Sequence, residues 1–189
     1  MSKLQWGIIG TGGIAHTFAR ALKESQTGIL VAVASRNHTS ADKFGSEFEL
    51  APEHCHASYD TLLSDPVVQA VYVSVLHPAH AEWTIKACDA GKHVLCEKPM
   101  GVNQWEVMAM INAARKNNVF LMEAYMYRCH PQTEKLIEMI RSGVIGDIKV
   151  VRATFSYCWP KDEQSKGGRV YNNTLGGGSI LDIGGSYVL

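Results

Sequence analysis

The feature that most constrains this chain is Gly10-Thr11-Gly12-Gly13-Ile14-Ala15, a G-x-G-x-x-A turn. It stands between a strand-like run, residues 4–9, and a helix-period segment in which Ile14, Phe18, Ala21 and Leu22 share one face. Gly10 permits a tight turn, Gly12 lets a pyrophosphate approach the backbone, and small Ala15 lets the helix pack close to the strand. The helix start adds N–H groups and the positive end of a dipole, so Gly10, Thr11, Gly12, Gly13, Ile14 and Ala15 read as a dinucleotide cradle. The alternative is a glycine-rich turn in an unrelated α/β fold, and the strand-turn-helix setting weighs against it.

Up to residue 122, β-branched runs alternate with helix-period segments, the pattern of a parallel sheet with helices on both faces. Strands are expected at residues 4–9, 29–34, 53–57, 70–75, 93–96 and 119–122. Helices are expected near residues 14–22, 40–47, 80–90 and 103–116, the last opened by an Asn103/Glu106 capping box. Beyond this the character changes. Residues 131–141 read as a helix, 148–157 as a strand with one exposed face, 161–178 are polar and glycine-rich, and 179–189 begin an apolar helix or strand. The expected organisation is a dinucleotide-binding domain over residues 1–122 and the beginning of a second domain over 123–189. A lone strand cannot satisfy its backbone donors and acceptors. The expectation is therefore a truncated chain, or a strand that pairs with another protomer.

Eighteen basic residues balance eighteen acidic ones, so no overall field draws the chain to nucleic acid or an anionic membrane. The apolar runs are strand-length, and the first strand pattern leaves no room for a leader, so a cytoplasmic protein is expected. The five scattered cysteines contain no C-x-x-C pair and suit reduced thiols. In His54-Cys55-His56 a strand would turn the two histidines one way and the cysteine the other. This reads as strand-edge histidines, and no metal is expected.

At the end of the second strand, where an NAD-specific site presents a carboxylate to the ribose, this chain has Ser35-Arg36-Asn37. The Arg36 guanidinium can pair with a 2′-phosphate, with Ser35 adding a hydrogen bond, so NADP is favoured and NAD remains open. The alternative is an ordinary surface arginine. Glu97-Lys98-Pro99 follows the strand at 93–96, on the carboxyl edge where open α/β sheets bind ligands. An ammonium there can hydrogen-bond a substrate oxygen and take part in acid-base chemistry. Taken alone, Lys98 also reads as a surface lysine.

Together with Trp6-Gly7-Ile8-Ile9 before the turn, Glu123-Ala124-Tyr125-Met126-Tyr127-Arg128 with His130-Pro131, and Gly176-Gly177-Gly178-Ser179-Ile180-Leu181-Asp182-Ile183-Gly184, these motifs resemble the Gfo/Idh/MocA oxidoreductases. The resemblance is greatest to the branch holding dihydrodiol and NADP-dependent D-xylose dehydrogenases. It implies an N-terminal Rossmann domain followed by the start of an α+β domain with a mostly antiparallel sheet. It also implies a hydride exchanged between nicotinamide and a sugar, polyol or diol carbon. Lys98 would be catalytic and substrate-binding, Glu97 would orient it and, like Lys98, border the cofactor, Pro99 would fix the turn, and Asp182 would accept a substrate hydroxyl. A homo-oligomer, dimer or tetramer, is implied where the full second domain is present.

One departure bears on the chemistry. The family carries a catalytic His or Tyr at a position that is Ser186 here, with Tyr187 one residue later. A helix turns about 100° per residue, so either Tyr187 reaches by a local irregularity or the catalytic hydroxyl is absent. Two other functions stay open: a dinucleotide-binding regulator or inactive family member without turnover, and an interaction fragment whose edge strand at 148–157 recruits a partner.

Overall fold

In this computed structural model the described residues are 2–154, 156 and 168–184. The chain divides into two compact units, Met1–Glu123 and Ala124–Leu189.

The first unit is built on six parallel strands, β1 (Leu4–Ile9), β2 (Gly28–Ala34), β3 (Cys55–His56), β4 (Ala70–Val73), β5 (His93–Cys96) and β6 (Leu121–Glu123), in the spatial order β3-β2-β1-β4-β5-β6. Parallel strands covered on both faces bury both sets of side chains, which explains the unbroken apolar runs. Ile8, Ile9, Ala32, Val33, Ala34, Val71 and Val73 are all fully enclosed. The order reverses between β1 and β4, and at such a switch point the two crossovers leave on opposite sides and open a crevice at the carboxyl edge.

Helices α1 (Gly13–Glu24), α2 (His38–Phe48), α3 (Tyr59–Leu63), α4 (His80–Asp89) and α5 (Gln104–Lys116) make the crossovers. Phe18 of α1 stacks on Tyr72 of β4, centroids 4.1 Å apart, and meets Trp6 of β1 edge-on at 5.2 Å, which seats the helix over the switch point. Asn103 caps α5 by accepting from the Glu106 N–H at 3.0 Å, while Glu106 reaches back to the Val102 N–H at 3.0 Å. The short α3, capped by Ser58 accepting from the Thr61 N–H, gives too brief a periodic signal to be expected from sequence. The strand expected at 53–57 is shorter, because Pro52–His54 form a 3-10 turn before Cys55 pairs with Val33.

In the second unit, α6 (Pro131–Arg141) begins at Pro131, with the His130 ring accepting from the Gln132 N–H, and α7 (Ser179–Asp182) opens the glycine-bounded segment near the end. Among the described residues of the strand expected at 148–157, residues 148–154 and 156 are exposed and form no strand, while 155 and 157 lie outside the described residues. Alternation and β-branching suit a strand only where a partner takes up its N–H and C=O groups. Among its described residues the second unit contains helices and turns and no strand, so the expected antiparallel sheet is not seen there.

Candidate nucleotide and reaction edge

The glycine turn leaves β1 at Gly10, whose N–H donates to Ala34 O at 2.9 Å and whose φ is +102°. A Cβ at this residue would stand 2.9 Å from the Ser74 carbonyl oxygen, so both the backbone angle and the close approach of β4's exit require glycine. At Gly12 and Gly13 the same test finds open space, no atom lying within 4 Å of a Cβ. Ala15 is fully buried where α1 leans on the sheet. The first turn of α1 carries no side-chain cap and no acidic residue, which leaves its N–H groups and dipole to an anion. The cradle therefore fits the pyrophosphate of a dinucleotide.

Beside it, at the carboxyl end of β2, Thr11 donates its hydroxyl to Ser35 Oγ at 3.5 Å, joining the glycine turn to Ser35. The Ser35 N–H donates to His56 O at 3.1 Å, so β3 fixes this residue from its other side. Arg36 is exposed, and its guanidinium charge acts on the nearby Tyr59 phenol. Burial pushes the Tyr59 phenol up, against the downward pull of that guanidinium. Tyr59 is thus a neighbour of Arg36 that the sequence did not point to.

The Glu97-Lys98-Pro99 turn leaves β5 on the same edge, with Lys98–Pro99 in cis. Glu97 is 8% exposed, and its carboxylate accepts from the Tyr72 hydroxyl and from the Lys98 N–H, the latter at 3.1 Å. Burial, then the Glu97 charge and the hydrogen bond to it, hold the Tyr72 phenol far above its ordinary range. His80 is fully buried at the start of α4; its Nδ1 lies 2.8 Å from Pro99 O and its Nε2 3.0 Å from Val75 O. Glu123 at the end of β6 accepts from the Met100 N–H at 2.7 Å. Tyr72, His80 and Glu123 therefore brace the turn from three elements. Tyr72 and His80 read from sequence as ordinary strand and helix residues and Glu123 as the start of the second domain, and only the sheet order brings them to Lys98.

Asp182 lies in the second unit, 5% exposed in α7, with its N–H donating to Gly178 O at 3.1 Å. Ser186 and Tyr187 lie outside the described residues. His54 and His56 do turn to one side, as their spacing implied, but they meet the buried carboxylate of Asp65, which the sequence did not point to. Among the described residues no helix is long and apolar enough to cross a membrane.

Comparison with known proteins agrees with this geometry. Residues 4–125 match the oxidoreductase family with an NAD-binding Rossmann fold, and residues 133–187 match the GFO/IDH/MocA C-terminal domain. A trans-1,2-dihydrobenzene-1,2-diol dehydrogenase of Mus musculus is 39% identical over 183 residues, covering 96% of this chain and 53% of the relative. The enzyme of the same name from Xenopus laevis is 38% identical over 185 residues, covering 95% and 53%. The chain thus spans about half the length of these curated relatives. A solved structure of a 3-ketoreductase from Actinomadura kijaniata, in complex with NADP and TDP-benzene, superposes with a TM-score of 0.84 at 34% identity, over 97% of this chain and 55% of that one. With its glycine turn, its Glu97-Lys98-Pro99 edge and these two matched segments, the chain belongs to the Gfo/Idh/MocA oxidoreductase family.

Proposed function

We propose that this chain provides the cofactor domain and the reactive lysine of an NADP-dependent oxidoreductase acting on a carbinol or carbonyl carbon of a sugar, polyol or diol. The observation that carries the reading is the braced Glu97-Lys98-Pro99 turn on the same sheet edge as the glycine cradle and Arg36. The names of the dihydrodiol dehydrogenases and of the NADP-bound ketoreductase point the same way. Nicotinamide, when bound, supplies the hydride chemistry.

The protein's own part is to bind, orient and move a proton. Gly10, Thr11, Gly12, Gly13, Ile14 and Ala15 hold the pyrophosphate, and Ser35 with Arg36 holds the 2′-phosphate. The Lys98 ammonium hydrogen-bonds the reacting oxygen and shares its proton as that oxygen changes between hydroxyl and carbonyl. Glu97 acts through the Lys98 N–H, setting the turn from which the ammonium projects. Asp182 accepts a substrate hydroxyl, and Tyr187 is the second proton-carrying group.

The test is a fluorescence titration with NADPH and NADH, followed by turnover assays on the Lys98→Met variant with diol and aldose substrates. NADPH binding tighter than NADH, with turnover abolished in Lys98→Met and cofactor affinity kept within a few-fold, supports the proposal. Unchanged turnover removes Lys98 from the chemistry. Cofactor binding without turnover in the wild-type chain favours a dinucleotide-sensing role, the reading to which Ser186 in place of the family's His or Tyr would lead.

A further inference from the structure

Away from Lys98, three side chains of the first unit converge on one point. His54 Nδ1 lies 2.7 Å and His56 Nε2 3.0 Å from the same oxygen, Asp65 Oδ2, and the three ligand atoms all lie within 4.8 Å of one another. We propose that His54, His56 and Asp65 form a binding site for a divalent transition-metal ion of the Zn2+ type.

Two imidazole nitrogens and one carboxylate oxygen are a donor set that Zn2+ and its neighbours accept, with a further position left to water. The set is already assembled. His54 and His56 stand on either side of Cys55, whose buried thiol turns instead toward Gly45 of α2. Asp65 is held from behind: its Oδ1 accepts from the Val67 N–H at 3.0 Å. The Lys92 ammonium donates to the carbonyls of Asp65 and Val68 at 2.9 and 2.7 Å, fixing the loop through its main chain. The Asp65 side chain is 5% exposed, while His56 is 14% and His54 27% exposed, so the cluster opens to solvent on the His54 side.

Without an ion each ring donates one N–H to Oδ2. On loading, each ring carries its proton on its other nitrogen, and two N–H···O bonds give way to two nitrogen–metal bonds. Tetrahedral bonds of about 2.0 Å set neighbouring ligands about 3.3 Å apart. The 2.7 and 3.0 Å separations reach this by shifts of a few tenths of an ångström. The ion would tie β3 to the loop that leads into β4. That clip bears on the nucleotide edge, because His56 O accepts the Ser35 N–H and Tyr59, a neighbour of Arg36, follows shortly after.

Titrating the chelator-treated chain with Co2+, a spectroscopic stand-in for Zn2+, tests the site. One equivalent per chain with visible d–d absorption, displaced by Zn2+, is expected. His54→Gln and His56→Gln each lose the band and weaken Zn2+ binding by more than about tenfold. His38→Gln, which removes the exposed His38–Asp42 pair, keeps both. Zn2+ also raises the melting temperature of the wild-type chain and not of the two variants. No band, or a band surviving in both variants, overturns the proposal. Because His56 is largely buried, the wild-type chain gives an independent reading by NMR. Substoichiometric Co2+ broadens the ring signals of His54 and His56 first; first broadening of other histidines instead overturns the site.

Discussion

The Tyr72 hydroxyl, on the central strand β4, donates to the Glu97 carboxylate that accepts the Lys98 N–H from the neighbouring turn. This chain of two hydrogen bonds runs from beneath Phe18 of α1 to the Lys98 backbone, through side chains that are almost wholly buried. Tyr72→Phe keeps the ring stacked on Phe18 but removes a donor from a buried carboxylate, a loss that costs about 1–3 kcal/mol. The expected result is a lower melting temperature and a fall in kcat, with the NADPH dissociation constant nearly unchanged. An equal loss of cofactor affinity would mean that Tyr72 supports the glycine turn instead.

Arg36 and Tyr59 yield a prediction about cofactor choice. A guanidinium paired with a phosphate contributes about 1.5–3 kcal/mol, so Arg36→Ala should weaken NADPH by about 10- to 100-fold. NADH affinity should stay the same, since NADH carries a ribose hydroxyl where NADPH carries the 2′-phosphate. Tyr59→Phe removes only the hydroxyl near that guanidinium and should change NADPH affinity by much less. Parallel titrations of both variants with both cofactors check this.

The local features were legible in the sequence because they are written in consecutive residues. The glycine turn needs only its own backbone and the strand before it, and the Asn103/Glu106 cap needs only one helical turn. What supports Lys98 is not local. Tyr72 and Glu97 are 25 positions apart and His80 and Pro99 are 19 apart, so their pairing follows from strand order. Asp65 is not local either: it is 11 positions from His54 and 9 from His56, which meet it from the 3-10 turn and from β3. Residues 148–154 show the opposite failure: the alternation is present, but a strand is a property of a pair.

Packing between α2 and β3 is tight enough to test by a single methyl group. A Cβ on Gly45 would fall 2.2 Å from the Cys55 sulfur, far inside van der Waals contact. Gly45→Ala should therefore destabilise the chain by about 1–3 kcal/mol, despite the helix propensity gained. Adding Cys55→Ala removes the obstructing sulfur, so the double variant should recover most of that loss. A double-mutant cycle in urea measures the coupling, and additive losses would show that the helix moves away instead.

Stability should fall on the alkaline side, and the thiols set where the fall begins. Burial raises Cys88 to about 11 and Cys96 to about 12 from an ordinary 9.0, and it raises Tyr72 beyond its ordinary 10.0. In each case the folded state keeps a proton that the unfolded chain releases, so the stabilisation is complete below pH 9.0 and is lost as pH rises above it. Urea midpoints measured on either side of pH 9.0 should drop with pH. The slope should lessen in Cys96→Ala even though that variant starts from a lower stability. Burial also protects these thiols from chemistry: Cys129 is exposed, whereas Cys55, Cys88 and Cys96 are enclosed. Among these four, iodoacetamide should label Cys129 under native conditions and reach the others only as the first unit unfolds. Labelling of Cys96 in step with Cys129 would mean that β5 opens locally without global unfolding, and then the alkaline loss could not be assigned to the whole domain.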